Sequence, residues 1–258
     1  MRLIPIQTSL IKTGDNIINI FLDILRKKGH NVQEGDIVAF ADKIVAISEG
    51  RVIKLNRVEA SDQAHSLAER YMLEPSFVEL VIQQADKVYG GVPRALLTLN
   101  NDILIANAGI DHKNAPVNSV TLWPSNPNET AAKLREELCV KTGKRVGVIL
   151  VDSHVAPMRM GTLGFALGLA GFKPVKDCRG MNDLYDKPLL ITRINLADDL
   201  AAAAHFVMGE TTERIPIVII RDSNLEITDD YNPRDVVIAE EECLFIKNLG
   251  KKGNGLDE

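Results

Sequence analysis

Apolar residues recur along this chain at two spacings, near two and near 3.6, and the switches between them lay out the elements. "RLIPIQT" (2–8) alternates as a strand, whereas "GDNIINIFLDILRKKG" (14–29) predicts an amphipathic helix that starts near Asp15 and stops at Gly29. "GDIVAFADKIVAISEGRVIKL" (35–55) reads as strand material broken by polar residues, with a turn at Gly50. Two helices are expected next, 61–73 behind the cap Ser61 and 75–90 with Pro75 in the first turn. "ALLTLNNDILIANAGID" (95–111) predicts a hairpin turning on Asn100-Asn101. Residues 130–143 form a helix stopped by Gly143, and 189–210 pass from strand into an Ala-rich helix capped near Asp198. "RIPIVIIRD" (214–222) is a buried strand, 233–249 a terminal helix and 250–258 a flexible tail. Strands and helices interleave irregularly, so the expected class is mixed α/β (α+β).

Composition narrows the function classes. A net charge of −5 with scattered lysines and arginines argues against nucleic acid and anionic membrane as partners, though not against a local phosphate pocket. The three cysteines, Cys139, Cys178 and Cys243, have neither a disulfide-framework nor a zinc spacing, which suits a reducing cytoplasm. No leader-like segment or membrane-length apolar run is visible.

Chemistry concentrates where apolar segments end: "ILIANAGIDHKN" at Asp111 and Asn114, "VGVILVDSH" at Asp152 and Ser153, and "FVMGETTERIP" at Glu210 through Arg214. Carboxylates on short exits repel one another unless they share a cation, and hard oxygen donors suit a divalent ion that also holds phosphates. Each residue alone also reads as an ordinary turn or cap. The adjacent Asp152-Ser153-His154 is a poor triad, because neighbours on an extended segment point in opposite directions. Glycines 161, 164, 168 and 171 match neither a dinucleotide nor a P-loop fingerprint. Their spacing suggests a bare helical face for close packing, with backbone approach to a phosphate as the alternative. His205 and the remaining isolated histidines read as structural.

Taken in order, "SLIKTGDN" (9–16), "GDIVAFADKIVAISEGR" (35–51), "NAGIDHKN" (107–114), "GKRVGVILVDSH" (143–154), "GFALGLAG" (164–171) and "MGE" (208–210) resemble the coenzyme F420-0:L-glutamate ligase family, collinearly over about 1–249. The resemblance implies a two-domain mixed α/β fold, with two interleaved subdomains over 1–249, and an intertwined homodimer. It also implies GTP as co-substrate, magnesium or manganese with potassium as an additional candidate ion, and glutamate joined to a phosphorylated deazaflavin acid. It places metal ligands at Asp111, Asp152, Ser153 and Glu210 and catalytic roles at Asp152 and Arg159. Nucleotide contacts fall on Ser9, Leu10, Ile11, Lys12, Asn114, Met208, Gly209 and Glu210, with Lys43 able to reach across. Three stretches depart from the family: Ile47 stands where a nucleotide-contacting lysine is usual, His154-Val155-Ala156 replaces Asn-Gly-Arg, and Thr211-Thr212-Glu213 replaces a glycine-rich loop. Those departures leave two other readings, the same scaffold with a different acid or nucleotide and a binding protein without turnover.

Overall fold

Along the chain run β1 (Arg2–Ile6), α1 (Ile17–Lys27), β2 (Ile37–Ala41), α2 (Asp42–Ser48), β3 (Val52–Lys54), α3 (Asp62–Tyr71) and α4 (Pro75–Gln84). A meander follows, β4 (Lys87–Val92), β5 (Ala95–Asn100) and β6 (Ile103–Ala106), then β7 (Ser119–Thr121) and α5 (Pro127–Thr142). The rest is β8 (Gly147–Val155), β9 (Thr162–Ala170), β10 (Val175–Asp177), β11 (Arg193–Asn195), α6 (Leu196–Met208), β12 (Ile217–Arg221) and α7 (Leu244–Leu249). The computed structural model describes residues 1–249; the tail expected at 250–258 lies outside them. The architecture is mixed α/β, as expected.

Five strands form the main sheet in the order β1-β12-β2-β8-β9, with only β2 and β8 parallel. Near-continuous apolar runs such as "IVAF" and "VILV" are explained by burial on both faces. Val38, Phe40, Val148 and Leu150 pack under α1 and α5, while Ile37, Ala39, Ile149 and Val151 pack under α6. A third core joins α3 and α4 to Leu96, Ala108, Ile110 and Val120, on the excursion between β2 and β8.

Several expected boundaries move, each for a local reason. Residues 42–48 are a helix rather than strand, since Val45 and Ala46 bury along one side of a single short α2. The helix at 75–90 ends at Gln84, and the β-branched and aromatic Val88-Tyr89 join β4. The hairpin turns on Asn101-Asp102, both left-handed, one residue later than expected. The terminal helix reduces to a short turn at Pro233–Val236 and to α7; Val237 and Ile238 between them are exposed, so a longer helix there would bury little.

The glycine-rich segment is a strand, not a helix. A bulge in β9 shifts its pairing from Leu150↔Gly168 to Val151↔Ala166. The bulge turns Gly164 and Gly168 to opposite faces, although four residues on a regular strand would share one. A Cβ on Gly164 would lie 2.4 Å from His205 Cβ, and one on Gly168 would lie 2.5 Å from the Pro127 carbonyl oxygen. Close packing is therefore their use, against α6 on one side and the start of α5 on the other.

Candidate active site

Asp42 and Asp152 meet because β2 and β8 are parallel and in register. Ala41 pairs with Val151, so the next residue of each strand emerges at the same level, at the carboxyl ends where open α/β sheets place ligands. Asp152 lies within β8 rather than at its end, and strand alternation sends Asp152 and Ser153 to different faces. Its Oδ2 accepts the Trp123 indole N–H at 2.7 Å, and its Oδ1 accepts the Ser153 N–H at 2.7 Å.

Asp111 arrives by a different route. Asn107, Ala108 and Gly109 are all left-handed, a costly run that buried side chains hold in place. Thr98 Oγ1 accepts the Ala108 N–H, Asn100 donates to the Ala108 carbonyl, and Asn107 accepts the Leu96 N–H. The motif "NAGID" is thus a backbone device that aims Asp111 at Lys43, whose Nζ lies 2.6 Å from Asp111 Oδ2.

Three carboxylates therefore surround one ammonium group. Burial, then the Asp152 charge, pushes Asp42 well above the usual carboxylate range. Burial likewise raises Asp152, against the opposing Trp123 hydrogen bond and Lys43 charge. Lys43 is raised: its own burial opposes that, and the charges of Asp42 and Asp111 outweigh it.

Glu210 follows α6 and is linked to this group through Lys113, whose Nζ lies 4.0 Å from Asp111 Oδ2. Its oxygens accept from Thr162 at 3.0 Å and Lys113 at 2.9 Å, and His205 Nε2 lies 2.8 Å away. Burial works against ionisation there, yet His205, Lys113, Ser153 and Thr162 together hold Glu210 down to about 2. The following loop is closed on itself, since Glu213 accepts both the backbone N–H and the hydroxyl of Thr211.

One cavity of about 710 Å³ brings these parts together. Its wall includes the loop Ser9, Leu10, Ile11 and Lys12; Lys43 beside Asp42; Asn114; Asp152 and Ser153; and Met208, Gly209 and Glu210. Asp111 reaches it through Lys43. Arg159 does not: it is exposed at the β8–β9 turn, outside the cavity. Ile47 sits in the wall as an apolar neighbour of Ile44 and Val52.

Asp42, Trp123, Lys113 and His205 were missed from sequence. Asp42 carried a usable signal, a carboxylate directly after a buried strand, the same arrangement as Asp152. The others carried none, because their partners are 29 to 97 residues away or lie across a helix end.

Among the described residues no group of three acidic, histidine or cysteine side chains is placed to hold a metal ion. Magnesium, however, usually takes one or two carboxylates and fills its shell with water and substrate phosphates. Asp111 and Asp152 supply that pair of hard donors. Thr121 Oγ1 is buried without a hydrogen-bond partner, and Thr121 pairs with Asp111 across the bridge beside it. The donor types thus suit a divalent ion at the two aspartates, although Asp111 is paired with Lys43 and both Asp152 oxygens accept hydrogen bonds, just as Glu210 is engaged by Lys113, Thr162 and His205.

The family model for F420-0:gamma-glutamyl ligase matches residues 5–222. Coenzyme F420:L-glutamate ligase of Methanothermobacter thermautotrophicus is 36% identical over 213 residues, covering 82% of this chain and 84% of that protein. The protein of the same name from Methanopyrus kandleri is 34% identical, with 90% of each chain covered. That from Methanocaldococcus jannaschii is 34% identical, covering 95% of this chain and 96% of its own.

Proposed function

This chain belongs to the F420-0:gamma-glutamyl ligase family, and from that premise we propose that it joins L-glutamate to the carboxylate of a phosphorylated deazaflavin acid such as coenzyme F420-0, with GTP as co-substrate. A carboxylate is a poor acyl donor, so its oxygen first attacks the γ-phosphorus and GDP leaves. The glutamate amine then attacks the carbonyl carbon of the acyl phosphate, phosphate departs with the C–O electron pair, and an amide remains once the amine has lost its proton. Both steps depend on positioning and charge compensation.

The single observation that carries this reading is Lys43 ringed by Asp42, Asp111 and Asp152, beside the carboxyl end of β2 and within β8, in the wall of a cavity of about 710 Å³. Asp111 and Asp152 would hold the divalent ion, which when bound supplies positive charge between the nucleotide phosphates and the attacking carboxylate. Lys43 and Lys12 offer cations to the phosphates. The indole of Trp123 keeps Asp152 oriented. Ile47 favours a second reading in which the same scaffold takes another acid or nucleotide, because an apolar side chain cannot neutralise a phosphate.

Mass spectrometry after incubation with coenzyme F420-0, L-glutamate, GTP and magnesium should show the acid extended by glutamyl residues. Product with a different acid or nucleotide instead would select the second reading. Nucleotide binding without any product would leave a binding protein.

We also propose a homodimer. Apolar side chains stand exposed at the β8–β9 turn (Met158, Met160) and between β10 and β11 (Leu184, Tyr185, Leu190, Ile191). Large apolar side chains exposed in groups are a feature of protein–protein interfaces. Sedimentation velocity should return twice the chain mass, and a single-chain mass at micromolar concentration would dismiss the dimer.

A further inference from the structure

Ser48-Glu49-Gly50-Arg51 ends α2, the helix that starts with Asp42 and Lys43. The N–H of left-handed Gly50 donates to the Ile47 carbonyl at 3.0 Å and that of Arg51 to the Ala46 carbonyl at 2.8 Å, a pair of bonds that stops a helix and fixes the direction of the residue after it. Arg51 therefore enters β3 on a set course. Its own carbonyl accepts the Leu122 N–H at 3.0 Å, which carries the β3–β7 ladder one residue further.

The Arg51 side chain is half-buried and has no carboxylate partner among the described residues. Nε donates instead to the Trp123 carbonyl at 2.9 Å, and Nη2 to Gln84 Oε1 at 3.1 Å, at the end of α4. A charged donor makes a stronger hydrogen bond than a neutral one, and this carbonyl lies where the backbone offers no alternative. β7 stops at Thr121 and α5 starts at Pro127, so neither a strand nor a helix contains Trp123. Pro124 confines Trp123 to extended backbone and has no N–H to give. Gly109 holds the ring from the other end, since a Cβ there would lie 2.1 Å from it. With main chain and ring both fixed, the indole N–H meets Asp152 Oδ2 at 2.7 Å.

We propose that Arg51 is a positioning residue for the reaction, acting on Asp152 through Trp123. The assignment rests on the ligase reading and deepens it: a carboxylate free to turn would present its oxygens to Lys43 and to the reacting groups only part of the time, and outer-shell partners that stop such turning contribute to rate. The same contacts join the parts of the fold, because the ends of α2 and α4 both bear on a side chain of β8.

Trp123 is the only tryptophan, so a ¹⁵N label gives a single indole N–H signal whose exchange with water reports on the Asp152 contact in the full chain. Arg51→Met keeps the aliphatic stem and removes the guanidinium; indole exchange should quicken and kcat should fall, each by about 10–100-fold, with KM for GTP unchanged. Arg51→Lys, whose ammonium can still donate to the Trp123 carbonyl, should recover most of both, a rescue that general loosening of the fold would not give. In a Trp123→Phe background, where the Asp152 contact is already lost, Arg51→Met should cost little further kcat. Wild-type exchange and turnover in Arg51→Met would overturn the assignment. An undiminished loss in the Trp123→Phe background would overturn it too, since Arg51 would then act by another route such as Gln84. No amide product from the wild-type chain, with indole exchange still quickened by Arg51→Met, would sink the ligase reading and leave the link from Arg51 to Asp152 standing.

Discussion

Asp152→Asn is expected to lower ligase activity by about 10³-fold or more while the protein stays folded. The loss follows from the carboxylate's two tasks, countercharge to Lys43 and hard oxygen donor; removing one preorganised electrostatic group from a water-poor site costs about 10²–10³ in rate, and losing an ion ligand adds to that. The variant should melt no lower than wild type at neutral pH, because burial already disfavours the charged form of this group. The amide oxygen can still accept from Trp123 or Ser153.

Asp42→Asn makes the informative comparison. The folded-state pKa of Asp42 is raised, so the folded protein binds the extra proton and loses stability as pH rises from the usual aspartate range through the raised value. The asparagine variant should therefore melt higher than wild type at neutral pH. That gap should close below the usual aspartate range, where both states are protonated. Differential scanning calorimetry across pH checks this. Full activity in Asp152→Asn, or a pH-independent gap in Asp42→Asn, would mean that the carboxylates around Lys43 are not electrostatically coupled as described.

Gly109→Ala is expected to give the largest loss of stability. An added Cβ would stand 2.1 Å from the Trp123 ring, at a residue whose φ of +76° already favours glycine. Left-handed strain costs about 1 kcal/mol, and forcing a side chain into a packed region costs about 1–3 kcal/mol more. At about 2–4 °C per kcal/mol for a chain of this size, the melting temperature should fall by roughly 5–12 °C. Gly143→Ala separates the two contributions: φ is +66° there with nothing within 4 Å of the added carbon, so only strain remains and the drop should be about 2–4 °C. The displaced indole should also release Asp152, so Gly109→Ala should lose activity out of proportion to its stability, whereas Gly143→Ala should not. Equal melting shifts in the two variants would show that Trp123 yields freely and does not fix the site.

Much of this protein was legible in its residues alone. The apolar periods located β1, α1, α3, α5, the core of β8 and β12, and the caps at Ser61 and Gly143, because hydrogen-bonding geometry and capping act over a few residues. The same local grammar singled out Asp111, Asp152 and Ser153, which the fold brings to or beside one cavity, and the ordered motifs identified the family. Tertiary structure alone decided the rest. A glycine every three or four residues suits a helical face or a bulged strand equally well, and only the partners of β9, α6 on one side and α5 on the other, chose the strand. Whether a carboxylate is a ligand, a cap or an ion-pair partner depends on which distant groups reach it. Parallel pairing of β2 with β8 put Asp42 beside Asp152, and folding brought Lys113 and His205 to Glu210, whereas Arg159 stayed at an exposed turn. Backbone preference is set within a turn or two of chain, but charge and packing act through space, between residues that only the completed fold makes neighbours.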